Sequence, residues 1–430
     1  MRGISRRRLT AAALLAASVL VPATAAPAAP AVTATATAGS GAALRPAALR
    51  PADVRAADVR AVHVDPGGRC AGDDCPHSSL GPGLTARLDQ AIADVLGQAH
   101  IPGAVVGLWM PGRGSYVRAS GAADTATGAP MRADSFVRIG SETKTFTVTA
   151  LLQLVDEHRV RLDDPISAYV AGVPGGRVIT LRELAEMRSG LFPYTSDPDF
   201  IHTLLSDPRR TFTPREVLAY GFRHANTFAP AARFQYSNTN LVLLGLVIEK
   251  VTGRPLGDVI RDRVLRPAGL PGTEFPHSAA LPDPHPHGYT DQTLTGATAD
   301  ATDWNPSWAW AAGAMISDLH DLRRWAVTVA TGRLLSPATQ AQRLAMLPTG
   351  IAGLGYGLGL FETNGWIGHN GSIPGYETVT VYLPETRATL VLMINTDTQT
   401  GGQEPSTLLA RAITGIVTPD HVYDSAISPR

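Results

Sequence analysis

Lysine is almost absent from this 430-residue sequence: of its 37 basic residues only Lys144 and Lys250 are lysines, and the rest are arginines. Arginine is therefore the ordinary surface cation of the chain. A lysine amine can lose its proton near neutral pH, whereas a guanidinium stays charged. A lysine kept against this bias is a candidate for acid–base chemistry, and the simpler alternative is a surface lysine without a special role.

The chain also lacks an excess of charge of either sign, because its 37 basic residues balance 37 acidic ones. No overall field attracts nucleic acid or an anionic membrane surface, so we expect no nucleic-acid partner. Apolar residues make up 44% of the sequence and charged residues 17%, which is typical of a globular protein with a sizeable core.

Cysteine is scarce as well, with only Cys70 and Cys75 in the sequence. In an oxidising compartment these two residues could close a small disulfide loop, but the sequence does not show whether they pair. Two cysteines without a nearby pair of histidines make a poor metal site. The histidines of residues 283–287 alternate with prolines, which favours a surface loop over a metal site.

No hydrophobic run is long enough to span a bilayer, which takes about 20 residues. An apolar stretch at residues 9–21 follows a group of arginines and precedes Ala23-Thr24-Ala25. This order is typical of a signal peptide, and we predict one at residues 1–26, of the general or the twin-arginine type. We therefore expect a secreted protein, free or associated with the cell wall, that is not inserted in a membrane.

The remaining chain divides into three predicted segments. Residues 27–80, rich in alanine, proline and arginine, show no helix or strand period and are predicted to be a linker. Residues 81–417 form the enzyme-sized domain, and residues 418–430 form a tail. Strand patterns concentrate in residues 81–140 and 306–417, whereas residues 141–305 are mostly helical. We predict an α/β fold whose antiparallel sheet, built from both chain ends and flanked by helices, carries a large helical inserted lobe.

The first candidate motif places a serine and a lysine three residues apart. Ser141 precedes a helical apolar pattern, and Lys144 lies about one turn further along the same face. A serine hydroxyl needs an adjacent base to become a good nucleophile, and a lysine with a lowered pKa can be that base. The alternative is a helix-capping serine beside a surface lysine.

Two later motifs contain further candidates. Tyr236 and Asn238 come directly before an apolar helical run, where the phenol could relay protons and the amide could hold a substrate carbonyl. His369 and Gly371 lie between two predicted strands, where glycine would let a substrate approach the strand backbone. The simpler interpretations are a helix start for the first motif and a turn with an incidental histidine for the second.

Together, Ser141-x-x-Lys144, Tyr236-x-Asn238 and His369-x-Gly371 resemble the three motifs of serine β-lactamases and penicillin-binding proteins. The resemblance is to class C β-lactamases and, more closely, to secreted D-alanyl-D-alanine carboxypeptidases. It extends from about residue 84 to residue 416 and implies a β-lactamase/transpeptidase-like fold.

The resemblance also implies a set of residue roles. Ser141 is the nucleophile that forms an acyl-enzyme, and Lys144 and Tyr236 share the proton transfers, with the first base left open. The backbone N–H groups of Ser141 and Ser372 form the oxyanion hole. Asn238 binds the acyl-side amide, Trp308 lines the cleft, and His369 takes the place of a lysine. The resemblance implies no metal and no cofactor.

One departure from the carboxypeptidase pattern leaves the substrate open. Such enzymes can carry an arginine for the substrate carboxylate just after Gly-Leu-Gly-Leu, where this chain has Phe361. We expect a D-Ala-D-Ala carboxypeptidase, with possible transpeptidation, that acts on peptidoglycan stem peptides. The alternatives are a class C-like β-lactamase, an esterase or D-amino-acid peptidase, and a penicillin-binding sensor without turnover. We expect a monomer that binds small peptides or β-lactams.

Overall fold

The computed structural model describes residues 79–425. The predicted signal peptide, most of the predicted linker and both cysteines lie outside these residues. The described helices are α1 Pro82–Gln98, α2 Thr143–Asp156, α3 Leu181–Ala185, α4 Pro198–Ser206, α5 Pro214–Phe222, α6 Asn238–Thr252, α7 Leu256–Ile260, α8 Arg266–Ala268, α9 Leu319–Thr331, α10 Pro337–Arg343 and α11 Pro405–Val417.

The described strands come from two distant parts of the chain. They are β1 Gly103–Met110, β2 Gly114–Asp124, β3 Ala129–Pro130, β4 Val137–Arg138, β5 Tyr289–Thr290, β6 Ala299–Asp300, β7 Ile316–Ser317, β8 Leu347–Pro348, β9 Leu354–Tyr356, β10 Phe361–Thr363, β11 Trp366–Ile373, β12 Tyr376–Leu383 and β13 Ala388–Ile394. Nine of them form one antiparallel sheet in the order β3-β2-β1-β13-β12-β11-β10-β9-β8.

The middle of this sheet joins the two ends of the domain. Strand β1 pairs with β13, so that Val106 lies opposite Leu392. All eight residues of β1 and all eight of β12 are buried. An antiparallel strand buried along its whole length must be covered on both faces. The prediction of an antiparallel sheet that is built from both chain ends is therefore confirmed.

Helices cover both faces of the sheet. The β12 residue Tyr382 packs on Ala326 and Ala330 of α9, whereas Glu377 on the same strand accepts a hydrogen bond from the Ser406 N–H of α11 at 2.9 Å. Because alternate strand residues point to opposite faces, α9 and α11 lie on opposite sides. Helix α1 packs beside α11. The result is the predicted mixed α/β fold, with a sheet flanked by helices.

Helix α2 lies at the centre of the molecule. Phe146 stacks on Trp325 of α9 with ring centroids 4.0 Å apart, and the Trp325 indole donates to Thr145 Oγ1 at 2.7 Å. The other neighbours of α2 include α6 and the turn before α2 that contacts β11. The N-terminus of α2 therefore lies between the sheet and the mostly helical residues 181–268.

The last described residues pack against the sheet and α11. The Trp366 indole donates to the His421 carbonyl at 2.7 Å, and Thr407 Oγ1 donates to the Ser425 carbonyl at 3.1 Å. Tyr423 is fully buried. The first part of the predicted tail is thus part of the core. Within residues 79–425, no helix has the length and apolar character needed to cross a membrane.

Candidate active site

Ser141 lies in a tight turn at the start of α2. A 3-10 turn, Gly140–Glu142, leads directly into the helix. Gly140 has φ +48°, and a Cβ atom there would lie 2.8 Å from the Ser372 backbone nitrogen. Only glycine allows this turn to approach β11 so closely. The backbones of residues 140–141 and 372 therefore border one another, as an oxyanion hole from Ser141 and Ser372 requires.

Lys144 contacts Ser141 directly. The lysine Nζ donates to Ser141 Oγ at 2.8 Å and to the Ala312 carbonyl at 2.7 Å. Its side chain is fully buried, and this burial holds the pKa of Lys144 well below its ordinary value. Burial in a low-dielectric site disfavours the charged ammonium. The arrangement favours the neutral form of an amine that is in hydrogen-bond contact with the hydroxyl.

Tyr236 completes the group around the hydroxyl. It comes just before α6, its phenol lies beside the Ser141 hydroxyl, and its ring centroid lies 4.9 Å from Lys144 Nζ. Burial raises the pKa of Tyr236 above its ordinary value, although the neighbouring Ser141 hydroxyl partly offsets this rise. A phenol that keeps its proton can donate to Ser141 or to a leaving group.

His369 lies on β11 beside these groups, with its ring centroid 6.2 Å from that of Tyr236. Both ring nitrogens have partners inside the protein: Nδ1 lies 2.5 Å from the Asn370 carbonyl and Nε2 lies 3.2 Å from the Tyr356 hydroxyl. Burial first, and the charge of Lys144 second, lower the pKa of His369 to about 3. The imidazole is therefore neutral near pH 7.

A pocket of about 180 Å³ opens at Ser141. Predicted residues Asn238, Trp308 and Ser372 line it, as does Asn370. The Trp308 position is set by Tyr194, whose hydroxyl donates to the Trp308 carbonyl at 2.7 Å. None of the described lining residues is Lys, Arg, Asp or Glu. The other lining residues are mostly apolar: Thr195, Phe200, Ile201, Leu204, Leu205, Gln292, Ile373 and Pro374.

Gly371 is the predicted substrate-binding residue that the structure does not bring into this pocket. A Cβ atom at this position would lie 2.0 Å from the Ile139 carbonyl oxygen and 2.7 Å from Thr378 Oγ1. The missing side chain therefore lets β11 lie against the segment that precedes Ser141. The sequence analysis predicted that this glycine would let a substrate lie close to the strand. In the structure it lets another segment of the protein backbone lie there instead.

Several residues of the site gave no usable signal in the sequence. Helix α4 supplies four of the apolar lining residues, and its apolar spacing is that of any helix packed on a core. Tyr356 lies in a glycine-rich stretch and is fully buried. Phe361, where an arginine was sought, is also fully buried, with its ring centroid 5.2 Å from that of His369. It supplies neither a charge nor a pocket wall.

The fold, with Ser141, Lys144 and Tyr236 side by side, is that of a serine hydrolase. Comparison with known families agrees: the β-lactamase family model matches residues 88–413. The chain belongs to the β-lactamase family. The superfamily of this family also contains the penicillin-binding proteins.

Several of the relatives are enzymes whose names refer to D-configured substrates. A D-aminopeptidase of Brucella anthropi is 31% identical over 307 residues, which are 68% of this chain and 56% of the relative. The chain thus spans little more than half the length of that relative. A solved D-stereospecific amidohydrolase from Streptomyces sp. is 32% identical, with TM-score 0.70 over 78% of this chain and 99% of that one. A D-amino acid amidase from Ochrobactrum anthropi SV3, complexed with L-phenylalanine amide, is 28% identical with the same TM-score and coverage.

Proposed function

We propose that this protein hydrolyses amides and short peptides of D-amino acids with apolar side chains, through an acyl-enzyme on Ser141. The observation that carries the proposal is the pocket at Ser141, which is apolar and has no charged side chain among its described lining residues. A cation that could hold the terminal carboxylate of a D-Ala-D-Ala peptide is missing there. The preference for the D configuration comes from the relatives named above.

The first half of the reaction forms the acyl-enzyme. The Ser141 hydroxyl attacks the substrate carbonyl while its proton passes to the neutral amine of Lys144, either directly or through Tyr236. The N–H groups of Ser141 and Ser372 donate to the oxyanion that forms. The C–N bond then breaks, and the leaving amine takes the proton from Lys144 or Tyr236. Ammonia or a shortened peptide departs.

The second half regenerates the enzyme. Water attacks the ester carbonyl of the acyl-enzyme and passes one proton to Lys144 or Tyr236. The Ser141 oxygen leaves with a proton, and the free D-amino acid is released. Asn238 lies in the pocket wall beside Ser141 and is placed to bind a polar group on the acyl side.

The carboxypeptidase function is the second candidate, and the His369-x-Gly371 motif favours it. The two functions differ in the group that follows the scissile bond. An amidase releases ammonia or a peptide from a D-residue with a free amine, whereas a carboxypeptidase releases D-alanine from an acylated D-Ala-D-Ala. The charge-free pocket favours the amidase, because no described lining residue can pair with the carboxylate.

The deciding experiment offers both substrates to the purified protein. We expect ammonia release from D-phenylalanine amide, much slower release from L-phenylalanine amide, and little D-alanine from an N-acyl-D-Ala-D-Ala peptide. Ser141→Ala serves as the inactive control. Faster turnover of the D-Ala-D-Ala peptide would replace the proposal with the carboxypeptidase. A stable adduct with penicillin and no turnover of any amide or ester would favour the sensor.

Export is a separate proposal that rests on residues 1–26. We expect the mature protein outside the cytoplasm, starting close to residue 27. N-terminal sequencing of the protein recovered from the culture medium or the cell wall tests this location. Recovery in the cytoplasm with an intact N-terminus would contradict it.

A further inference from the structure

The His369 ring is held by hydrogen bonds on both sides. Its Nδ1 lies 2.5 Å from the Asn370 carbonyl, and its Nε2 lies 3.2 Å from the hydroxyl of Tyr356, which β9 supplies. Both side chains are buried, with 1% of His369 and none of Tyr356 exposed. Neither nitrogen is left to exchange a proton with Ser141 or with a substrate.

The partners fix where the protons are. A carbonyl oxygen only accepts, so Nδ1 must carry a hydrogen. A neutral imidazole carries only one N–H, so Nε2 is then unprotonated and accepts from the Tyr356 hydroxyl. The contacts therefore select one tautomer of the neutral imidazole.

We propose that Tyr356 is a positioning residue that locks His369 as the neutral Nδ1–H tautomer, so that His369 packs beside Tyr236 without adding a charge near Lys144. This inference deepens the proposed function and rests on it. Tyr356 does not touch the reacting atoms. Its hydroxyl acts through His369, whose ring lies 6.2 Å from that of Tyr236 and 5.2 Å from that of Phe361.

The His369 ring must stay neutral because Lys144 becomes positively charged during the reaction. When the amine accepts the Ser141 proton it becomes an ammonium, and a second cation nearby would oppose that step. The titratable and charged groups that face His369 or act on its neighbours are Lys144 on α2, Tyr236 before α6, Arg343 on α10, Tyr356 on β9 and Glu404 before α11.

The first test is a measurement on the wild-type protein that needs no substrate. Imidazole ¹⁵N shifts, assigned by the signals lost in His369→Gln, report both charge and tautomer. We expect the neutral Nδ1–H form from about pH 5 to about pH 8. Titration of His369 within that range, or the Nε2–H tautomer, would overturn the proposal. This result stands whether or not D-amino acid amides are substrates.

The second test removes the hydroxyl alone. In Tyr356→Phe, Nε2 loses the donor that stabilises its unprotonated state, so the pKa of His369 should rise from its lowered value, and a protonated imidazole would oppose the charge that forms on Lys144. We expect the saturating rate of Ser141 acylation by p-nitrophenyl acetate to fall about tenfold, with KM changed less than about twofold. The acidic limb of the rate should move to higher pH. An unchanged rate and limb would contradict the proposal.

Two further variants separate positioning from general damage to the fold. Tyr116→Phe also removes one buried phenol hydroxyl, which donates to Asp89 Oδ1 at 2.7 Å on the α1 side of the sheet, and should leave rate and pH profile unchanged. In Tyr356→Phe combined with His369→Gln no imidazole can titrate, so the acidic limb should return toward the wild-type position. If the limb stays displaced in the double variant, His369 is not the group that Tyr356 controls. If Tyr356→Phe does not fold, the wild-type ¹⁵N measurement decides alone.

Discussion

Lys144 Nζ lies 2.8 Å from Ser141 Oγ, and no part of the lysine side chain reaches solvent. The short distance comes from a 3-10 turn that runs directly into α2, which places the two residues one turn apart. The burial comes from the surrounding Tyr236 ring and the Ala312 carbonyl. Because a buried amine loses its charge more easily than an exposed one, this pair has the geometry and the environment that the proposed nucleophile and base require.

Replacing Lys144 with arginine should abolish this function. Arginine keeps a positive charge and cannot accept the Ser141 proton, so kcat/KM should fall by about 10²- to 10⁴-fold. The matched control is Lys250→Arg, because Lys250 is exposed near the end of α6. Hydrolysis rates on one substrate compare the two variants. Equal activity of Lys144→Arg and the wild type would remove Lys144 from the mechanism.

The pH dependence follows from the same burial. Lys144 must be neutral to act as a base, and burial holds its pKa well below the ordinary value. Activity should therefore be lost as the pH falls through that lowered pKa, at a pH well below the ordinary lysine value. Tyr236 has a raised pKa, so no alkaline loss from its ionisation is expected below about pH 10. A profile of kcat/KM against pH that rises only near pH 10 would show an ordinary, exposed lysine instead.

Glu142, the residue after Ser141, should make the fold less stable as the pH rises. It is buried, and burial raises its pKa to about 8, although the nearby hydroxyls of Thr378 and Thr380 lower it in part. The folded state therefore holds a proton that the unfolded chain releases near pH 4.5, the ordinary value. The contribution of Glu142 to the free energy of unfolding is therefore greatest below this ordinary pKa and declines as the pH rises toward about 8.

The neutral variant Glu142→Gln isolates this effect. It should gain about 2 kcal/mol over the wild type at pH 8, and much less at pH 5, as measured by denaturant unfolding at both pH values. Subtracting the two proteins removes the contribution of other buried carboxyls, such as Glu377 and Asp397, whose pKa values burial also raises. A difference that does not vary with pH would mean that Glu142 is ionised in the folded state.

The part of the site that is predictable from sequence is the part that local geometry controls. Ser141 and Lys144 lie on one helix, so their contact follows from spacing alone. Tyr236, Asn238 and Trp308 lie in other segments, and the resemblance to a family brought them together. The two-ended antiparallel sheet followed from where strand and helix periods change along the chain. The structure agrees with that prediction, since β1 and β13 are adjacent.

The remainder depends on packing across the fold. His369 contacts the Tyr356 hydroxyl on β9 and the carbonyl of Asn370. No local sequence pattern predicts a side-chain hydrogen bond between two strands. Gly371 looks like a substrate contact in the sequence, but its α-carbon lies against the Ile139 carbonyl because β11 meets the segment before Ser141 there. Such relationships exist only after distant segments have packed together.

The apolar pocket wall predicts a substrate preference. Ile201 lines the pocket, although 40% of it is exposed, so Ile201→Ser should cost little stability and remove apolar contact with the substrate. We expect KM for D-phenylalanine amide to rise about three- to tenfold, with a smaller change for D-alanine amide. Val178→Ser is the control, because this residue is 65% exposed and does not line the pocket. Equal effects on both amides would show that the side chain of the substrate lies elsewhere.

The central claim is that Ser141 becomes acylated with Lys144 as its base. The direct measurement is rapid acid quenching of the protein with D-phenylalanine p-nitrophenyl ester, followed by peptide mapping by mass spectrometry. The account predicts a D-phenylalanyl group on the peptide that contains Ser141, its loss in Ser141→Ala, and slow formation in Lys144→Arg. An acyl group on any other residue, or hydrolysis by Ser141→Ala at the wild-type rate, would contradict it.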